Sequence, residues 1–314
     1  MNVSDVEDRS IRSGGPLDGR QLVTFRAVAT ELSFTRAAAS LGYVQSSVTA
    51  QVQSLERELG VPLFERLGRK VTLTDPGECL LGYANRILAL TEEARCAVAG
   101  DGDAAGTLTV GAPDTLCAYR LPAVLHAFRR DFPSVRVVFH PTRSSKQARR
   151  AVAEGLVDVA LLLDEHIDAR GLVTEVLAPE PLCVLVAPDH PLAGLESVDP
   201  EHLQSLPTVL TEEGCGYRNL FERLLDEAGV SRGSTVEFAS IEAIKECAKA
   251  GMGLTILPRV AVGPELGERA LIALSWGGPP LEIVSQMVWH KDKWLSPALS
   301  AFLSCARSEL GESG

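Results

Sequence analysis

The chain has 314 residues, 46% of them hydrophobic, and a formal net charge of −11. That length suffices for two or more domains with separate cores, and the acidity excludes a chain that is cationic throughout toward nucleic acid. The charge is unevenly divided, however. Residues 17–72 carry seven basic and five acidic side chains, a balance of +2, whereas residues 101–314 carry 19 basic and 29 acidic ones, a balance of −10. A mildly basic N-terminal module joined to a larger acidic domain is the expected organisation.

Seven cysteines, at 79, 96, 117, 183, 215, 247 and 305, are scattered without a CxxC pair. An odd, dispersed set predicts reduced thiols, with neither a disulfide framework nor a structural zinc site. The polar start MNVSDVEDRSIRSGG has no apolar run, and no stretch of about eighteen apolar residues follows. The expectation is a soluble, cytoplasmic protein with no membrane partner, no metal and no cofactor.

Residues 1–16 read as a disordered tail. A helix is predicted from Leu17 to about Thr30, with Leu22, Phe25, Val28 and Ala29 facing inward. Ser33 is a good N-cap for a short helix over Thr35 to Leu41, and Gly42 stands where that helix would end. In the next helix Val48, Val52, Leu55 and Leu59 form an apolar stripe, opposite Ser46, Thr49, Ala50, Gln53 and Arg57. Carboxylates are absent from that second face until Glu56 and Glu58. Amides pair with adenine, hydroxyls with any base edge and an alanine methyl with the thymine methyl, so this face suits the DNA major groove. Two short helices joined by a glycine-containing turn make a helix-turn-helix at 34–53; an ordinary helical hairpin in a core is the alternative.

The stretch VPLFERLGRKVTLTDPG then reads as a hairpin wing with Arg66, Arg69 and Lys70 near its turn, where bases would hold phosphate. Asp75 is predicted as N-cap of a long helix, with Pro76 at the first helical position and Glu78 closing a capping box. The helix should continue to about Ala99 at 75–100. Leu80, Ala84, Ile87, Ala94 and Val98 nearly follow a heptad, which predicts a dimerisation seam rather than a solvated linker. GDGDAAG at 100–106 ends that helix, with 101–106 reading as a hinge.

From Thr107 strands alternate with helices: TLTVGA, a helix from Leu121 to Phe132, VRVVFH, a helix from Ser145 to Glu154, and VDVALLL. LCVLVA, a helix from Tyr217 to Ala228, TVEFA, a helix from Ile241 to Ala250, and GLTILP form a second set, before LEIVSQMVW and a last helix from Ser296 to Leu310. Such βαβ units predict parallel sheets covered by helices, in two lobes with a cleft between them.

FxxVAxxxSFTRAAxxL at 25–41, QSSVTAQVQSLERELGVPLFER at 45–66 and LTxxG at 73–77 resemble the LysR-type transcriptional regulators. LTEEGCGYR at 210–218, SIEAIK at 240–245 and GLTILP at 253–258 are similar to further landmarks of that family. The resemblance implies an α+β multidomain protein. It would have a winged helix-turn-helix at 17–74, a linker helix that dimerises, and a two-lobed α/β effector domain at 107–310. That domain would resemble type 2 periplasmic-binding proteins, with lobe I at about 107–179 plus 281–310 and lobe II at about 180–280. The implied partners are promoter DNA, a small anionic effector, further copies of the chain as a homodimer or homotetramer, and RNA polymerase.

Family DNA contacts carry over to Gln45, Ser46, Thr49, Ala50 and Arg66, beside Thr35, Gln53, Arg69 and Lys70 as neighbouring candidates. Two positions depart from the pattern. Val44 stands where many members have Ser or Thr, so Ser46 or Ser47 would have to cap the recognition helix; Ala50 stands where many have Arg.

For the effector, the polar residues that begin helices are the candidates: Thr115, Ser144, Ser145, Thr211, Gly214, Cys215, Tyr217, Ser240, Ile241 and Glu242. Each also reads as part of a plain helix start with no ligand. Cys215, with Arg218 one turn on, admits a redox-responsive thiol of lowered pKa or, alternatively, a small residue in a tight turn. An enzyme would need a base for that thiol, and six histidines are present, but none lies in a catalytic motif. A free solute-binding protein would need no N-terminal module. The expected function is therefore an effector-modulated DNA-binding regulator, not an enzyme.

Overall fold

The computed structural model describes residues 17–67, 70–99 and 106–311. It separates into two compact units that divide between Arg95 and Cys96. The predicted tail at 1–16 and all of the predicted hinge but Gly106 lie outside the described residues.

In the first unit, α1 (Gly19–Glu31) starts where the Asp18 carboxylate accepts the Arg20 N–H at 2.9 Å. The Ser33 hydroxyl accepts the Arg36 N–H and caps α2 (Phe34–Leu41). α2 ends at Gly42 and α3 (Gln45–Leu59) at Gly60, with φ of 69° and 70°. That left-handed geometry is open to glycine, and at the end of α2 it lets the Gly42 and Tyr43 N–H groups bond the Ala39 and Ala38 carbonyls. Leu22, Phe25 and Val28 of α1, Ala37 of α2, and Val48 and Leu55 of α3 are fully buried together. β1 (Phe64–Leu67) and β2 (Lys70–Leu73) form the antiparallel wing. Phe64, at its base, seats its ring 5.4 Å from Phe25 and 5.7 Å from Phe34, which ties wing to helices.

α4 spans Asp75–Ala99. Its cap is not the predicted one: the Thr74 hydroxyl accepts the Gly77 N–H at 3.1 Å, so Thr74 is the N-cap, Asp75 the first helical residue and Pro76 the second. Glu78 is therefore one position too late for the capping box. The expected single stripe also divides. Leu80 and Ala84 are buried in the core of this unit, with Leu81 and Leu88 beside them, whereas Tyr83, Ile87, Leu90 and Ala94 are exposed. The Val98 side chain lies outside the described residues.

The second unit holds two sheets built alike. In the first, β3 (Gly106–Ala112), β4 (Val135–Pro141) and β5 (Val159–Asp164) run parallel in the order β4-β3-β5. α5 (Asp114–Tyr119), α6 (Leu121–Asp131) and α7 (Ser145–Ala153) connect them. β6 (Leu172–Val186) leaves this sheet and enters the second one without interruption. Up to Pro181 it pairs with β11 (Glu282–His290), which is antiparallel to both β5 and β6. Beyond Pro181 it pairs with β9 (Thr255–Pro258) and β10 (Ile272–Ala273). β7 (Thr208–Leu210) and β8 (Thr235–Glu237) run parallel, and a bridge from Thr208 to Leu254 joins them to the β9 side.

Both sheets are thus mixed, not purely parallel as expected. The predicted strand at LCVLVA is the far half of β6, which passes through Pro179 and Pro181 along a sheet edge, where proline is tolerated. α8 (Gly216–Glu227), α9 (Ile241–Lys249) and the short α10 (Gly263–Gly267) belong to the second lobe; α11 (Pro297–Gly311) packs on α6, with Phe302 edge-on to Phe128. One continuous apolar core reaches from these rings through β5 and β6 to Phe221 of α8. Among the described residues no helix is long and apolar enough to cross a membrane.

Candidate functional site

α3 presents two faces of opposite character. Val48, Val52 and Leu55 are buried, while Gln45, Ser46, Ala50 and Gln53 are exposed and Thr49 is half-exposed. Thr35, exposed on α2, donates its hydroxyl to Gln45 Oε1 at 3.1 Å. That bond fixes the amide's direction, leaving its NH₂ and one oxygen lone pair outward, the pair of groups an adenine edge requires. Thr35 therefore positions Gln45.

The expected substitute cap on α3 is not there. Val44 precedes the helix, no side chain caps it, and Ser46 and Ser47 stand exposed. An uncapped helix start keeps its first N–H groups open, with the positive end of the helix dipole behind them. Sequence reasoning passed over Tyr43 and took Val44 only as a missing cap; the two are 48% and 67% exposed on the turn just before that helix start. Large apolar side chains held in water beside a polar helix face were the available signal. Arg66 and Lys70 occupy the two wing strands, with only their backbone described, and Arg69 lies outside the described residues.

In the second unit, three helix starts converge. Thr115 opens α5, Ser144 caps α7 by accepting the Gln147 N–H at 3.1 Å, and Ser145 follows, buried. The turn before α8 reaches them. Gly214 has φ of 88° and rests on Ser144, where an added Cβ would stand 3.1 Å from the serine Cβ. Gly216 lies against Leu163 O and the Asp164 carboxyl, each 2.5 Å from where its Cβ would be, so only glycine fits. Arg143 and Glu212 pair across the same seam at 3.4 Å.

The hydroxyls of Thr115 and Tyr217 interact here, and both residues are almost fully buried. Thr211 faces the Tyr217 hydroxyl and the Cys215 thiol, yet its own buried Oγ1 makes no hydrogen bond of normal length. A buried polar atom left in this state is costly unless a ligand or water completes it. Burial, then the neighbouring Cys215, pushes the Tyr217 phenol well above its ordinary value, so it stays a hydrogen-bond donor.

The remaining candidates stand differently. Ser240 uses its hydroxyl to cap α9 at Ala243 N–H, 3.5 Å away, and Ile241 is buried in the apolar core. Glu242 accepts the Tyr119 hydroxyl at 2.5 Å and pairs with Lys245 at 2.8 Å. Lys245, which the sequence reading did not nominate, is buried and also pairs with Glu265 at 2.8 Å. Its Nζ also donates to the Tyr119 hydroxyl at 3.3 Å, so with Glu242 it ties α9 of one lobe to α5 of the other.

Cys215 is not the activated thiol that one reading allowed. Burial raises its pKa. Arg218, the expected activator, is directed elsewhere: its guanidinium bonds Glu222 at 3.0 Å, Glu237 at 3.1 Å and the Thr211 carbonyl. Burial and Asp114 likewise push Cys117 up to about 11. Neither thiol has the low pKa of a redox sensor.

Two family models divide the chain between them. Residues 19–78 match the bacterial regulatory helix-turn-helix protein, lysR family, and residues 101–311 match the LysR substrate binding domain. YwqM of Bacillus subtilis (strain 168), described as an uncharacterized HTH-type transcriptional regulator, is 40% identical over 288 residues, covering 92% of this chain and 98% of its own. Among solved structures, a full-length OxyR variant from Pseudomonas aeruginosa aligns with a TM-score of 0.71 at 26% identity, covering 94% of this chain and 95% of its own. Full-length CbnR, solved in complex with its target DNA, shares the fold at a TM-score of 0.64 and 24% identity, over 93% of this chain and 100% of its own. With its helix-turn-helix, wing and two-lobed domain all accounted for, the chain belongs to the LysR family of DNA-binding transcriptional regulators.

Proposed function

We propose that the protein reads promoter DNA through the exposed face of α3 and adjusts that binding to a small molecule held between the lobes of its C-terminal domain. The single observation that carries the DNA reading is the split of α3: one face is sealed in the core and the other holds exposed amide, hydroxyl and methyl groups. Gln45, Ser46, Thr49, Ala50 and Gln53 contact bases, Thr35 holds Gln45, and Arg66, Arg69 and Lys70 on the wing contact phosphate. Tyr43 and Val44 add apolar contact at the entering end.

Tyr83, Ile87, Leu90 and Ala94 recur at spacings of four, three and four on the outer face of α4, the period of a two-helix seam. Joined there, two copies present two recognition helices to major grooves about 34 Å apart or a multiple of that. The buried hydroxyls of Thr115, Thr211 and Tyr217, with Ser144, Ser145 and Gly214 at the adjoining helix start, supply the effector site, and a small anion is the class that helix starts favour. The effector shifts the balance of bound arrangements only by its different affinity for each. The protein acts in the cytoplasm by binding and catalyses no reaction.

Footprinting and titration of the purified protein on DNA immediately upstream of its own gene, across a salt series, tests this reading. A partly palindromic protected site, with affinity falling by about 10³-fold or more between 50 and 200 mM salt, is expected. Binding no tighter than to random DNA, in the presence and absence of cell metabolite extract, would contradict it.

A further inference from the structure

Three elements of the winged module meet on one short piece of backbone, Pro62 to Phe64. From the C-terminal half of α3, Glu56 Oε1 accepts the Leu63 N–H at 2.8 Å and the Phe64 N–H at 3.3 Å. From the start of α4, the Thr74 hydroxyl donates to the Pro62 carbonyl at 2.7 Å while accepting the Gly77 N–H at 3.1 Å. The Thr74 N–H donates to the Leu63 carbonyl at 3.1 Å. That carbonyl is only 2.1 Å from where a Cβ on Gly77 would stand, so the first turn of α4 lies directly on it. Both wing strands leave from this point, since Phe64 pairs with Leu73 at the base of the hairpin.

We infer that Glu56 and Thr74 are positioning residues that set the angle of the wing against the recognition helix and the dimer helix. Neither has to touch DNA to do so. Leu63 is fully buried, and its N–H and carbonyl are held from opposite sides, by α3 and α4. A buried N–H bonded to a carboxylate is among the stronger hydrogen bonds, and both amides lose their acceptor together if Glu56 is removed. Among the described residues the hairpin has four residue pairs and no third strand, so its direction depends on what grips its base. Glu56 lies on the recognition helix among residues the DNA reading does not use, and the clamp explains a carboxylate there, where charge alone would repel phosphate.

This inference rests on the wing being a DNA contact, and the test separates the two. Full-length wild type, Glu56→Gln, Glu56→Leu, Thr74→Ser and Thr74→Val are footprinted with hydroxyl radicals and titrated over a salt series on the DNA upstream of the gene. Glu56→Gln and Glu56→Leu remove the same charge, so their difference isolates the acceptor oxygen. Glu56→Leu and Thr74→Val are expected to lose protection beneath the wing and about tenfold in affinity. Their salt slope should fall by about three for each wing released, near one for each lost phosphate contact. Discrimination between the site and base-substituted copies should stay within about twofold, because the base-reading face of α3 is untouched. Glu56→Gln and Thr74→Ser should stay close to wild type. A wild-type footprint that extends beneath the wing and is unchanged in Glu56→Leu and Thr74→Val would overturn the clamp. So would equal damage in both members of each pair, or loss of base discrimination in step with affinity. A wild-type footprint confined to the major groove would instead overturn the wing contact, and the clamp with it.

Discussion

On α3, Gln45, Ser46 and Gln53 stand in water with hydrogen-bonding capacity to spare, whereas in the C-terminal unit Thr115, Thr211 and Tyr217 are buried against one another. The cations differ in the same way. Arg218 and Lys245 are enclosed and already paired with Glu222, Glu237, Glu242 and Glu265, while Arg36 and Arg57 of the N-terminal module are exposed. The contrast follows from what each unit binds. A surface that meets a duplex can keep its polar groups solvated until contact. A site that encloses a small molecule must hold its polar groups in place beforehand, and each enclosed charge needs a partner.

The sharpest way to break this contrast is at the junction of the lobes. Arg120 makes a two-pronged contact with Glu180 at 2.9 and 2.8 Å, where β6 passes from one sheet to the other, and Glu180 is 2% exposed. Arg120→Ala leaves that carboxylate buried and unpaired, and a loss of roughly 3–5 kcal/mol is expected from denaturant unfolding of the second unit. Arg36→Ala should cost within about 0–1 kcal/mol, because the Arg36–Glu31 pair at 3.0 Å lies largely in solvent. Similar costs for the two would contradict the division.

Leu90→Glu places a charge on the outer stripe of α4 and should convert dimers to monomers in sedimentation velocity, with little change in the melting of the winged module. Thiol chemistry gives the smallest effect. With its pKa raised, Cys215 remains protonated near pH 7, and its alkylation by iodoacetamide should lag behind that of a free cysteine of pKa about 8.5. The rate should rise only as pH climbs past that value. Fast modification at pH 7 would restore the redox reading.

The helix-turn-helix was legible because its signals are local: Ser33 and Gly42 cap and end α2 as read, and Val48, Val52 and Leu55 form the buried stripe their spacing gives, although Leu59, read as its fourth member, is exposed at the last turn of α3. What escaped depended on residues far apart. Thr74 and Asp75 are equally good caps in sequence, and only the Pro62 carbonyl, held by Thr74, decides between them. The stripe on α4 was read as one because periodicity cannot say whether Leu80 and Ile87 face the chain's own core or the outside. The choice left open at Cys215 needed the fold for the same reason, since Glu237, which takes Arg218 away from it, lies 19 residues beyond that arginine. Of the effector candidates, the helix starts were visible as polar clusters, but the gathering of Thr115 with Thr211 and Tyr217 needs the fold.

The central claim, that the first turn of α3 reads base edges, is tested most directly by selecting bound sequences from a random DNA pool with wild type and with Gln45→Ala. Wild type should enrich a partly palindromic site. Gln45→Ala should lose preference at one base pair in each half-site, by about 1–3 kcal/mol, while binding other positions and responding to salt as before. An unchanged preference in Gln45→Ala would remove Gln45 from direct readout and contradict the assignment of α3 as the reading element.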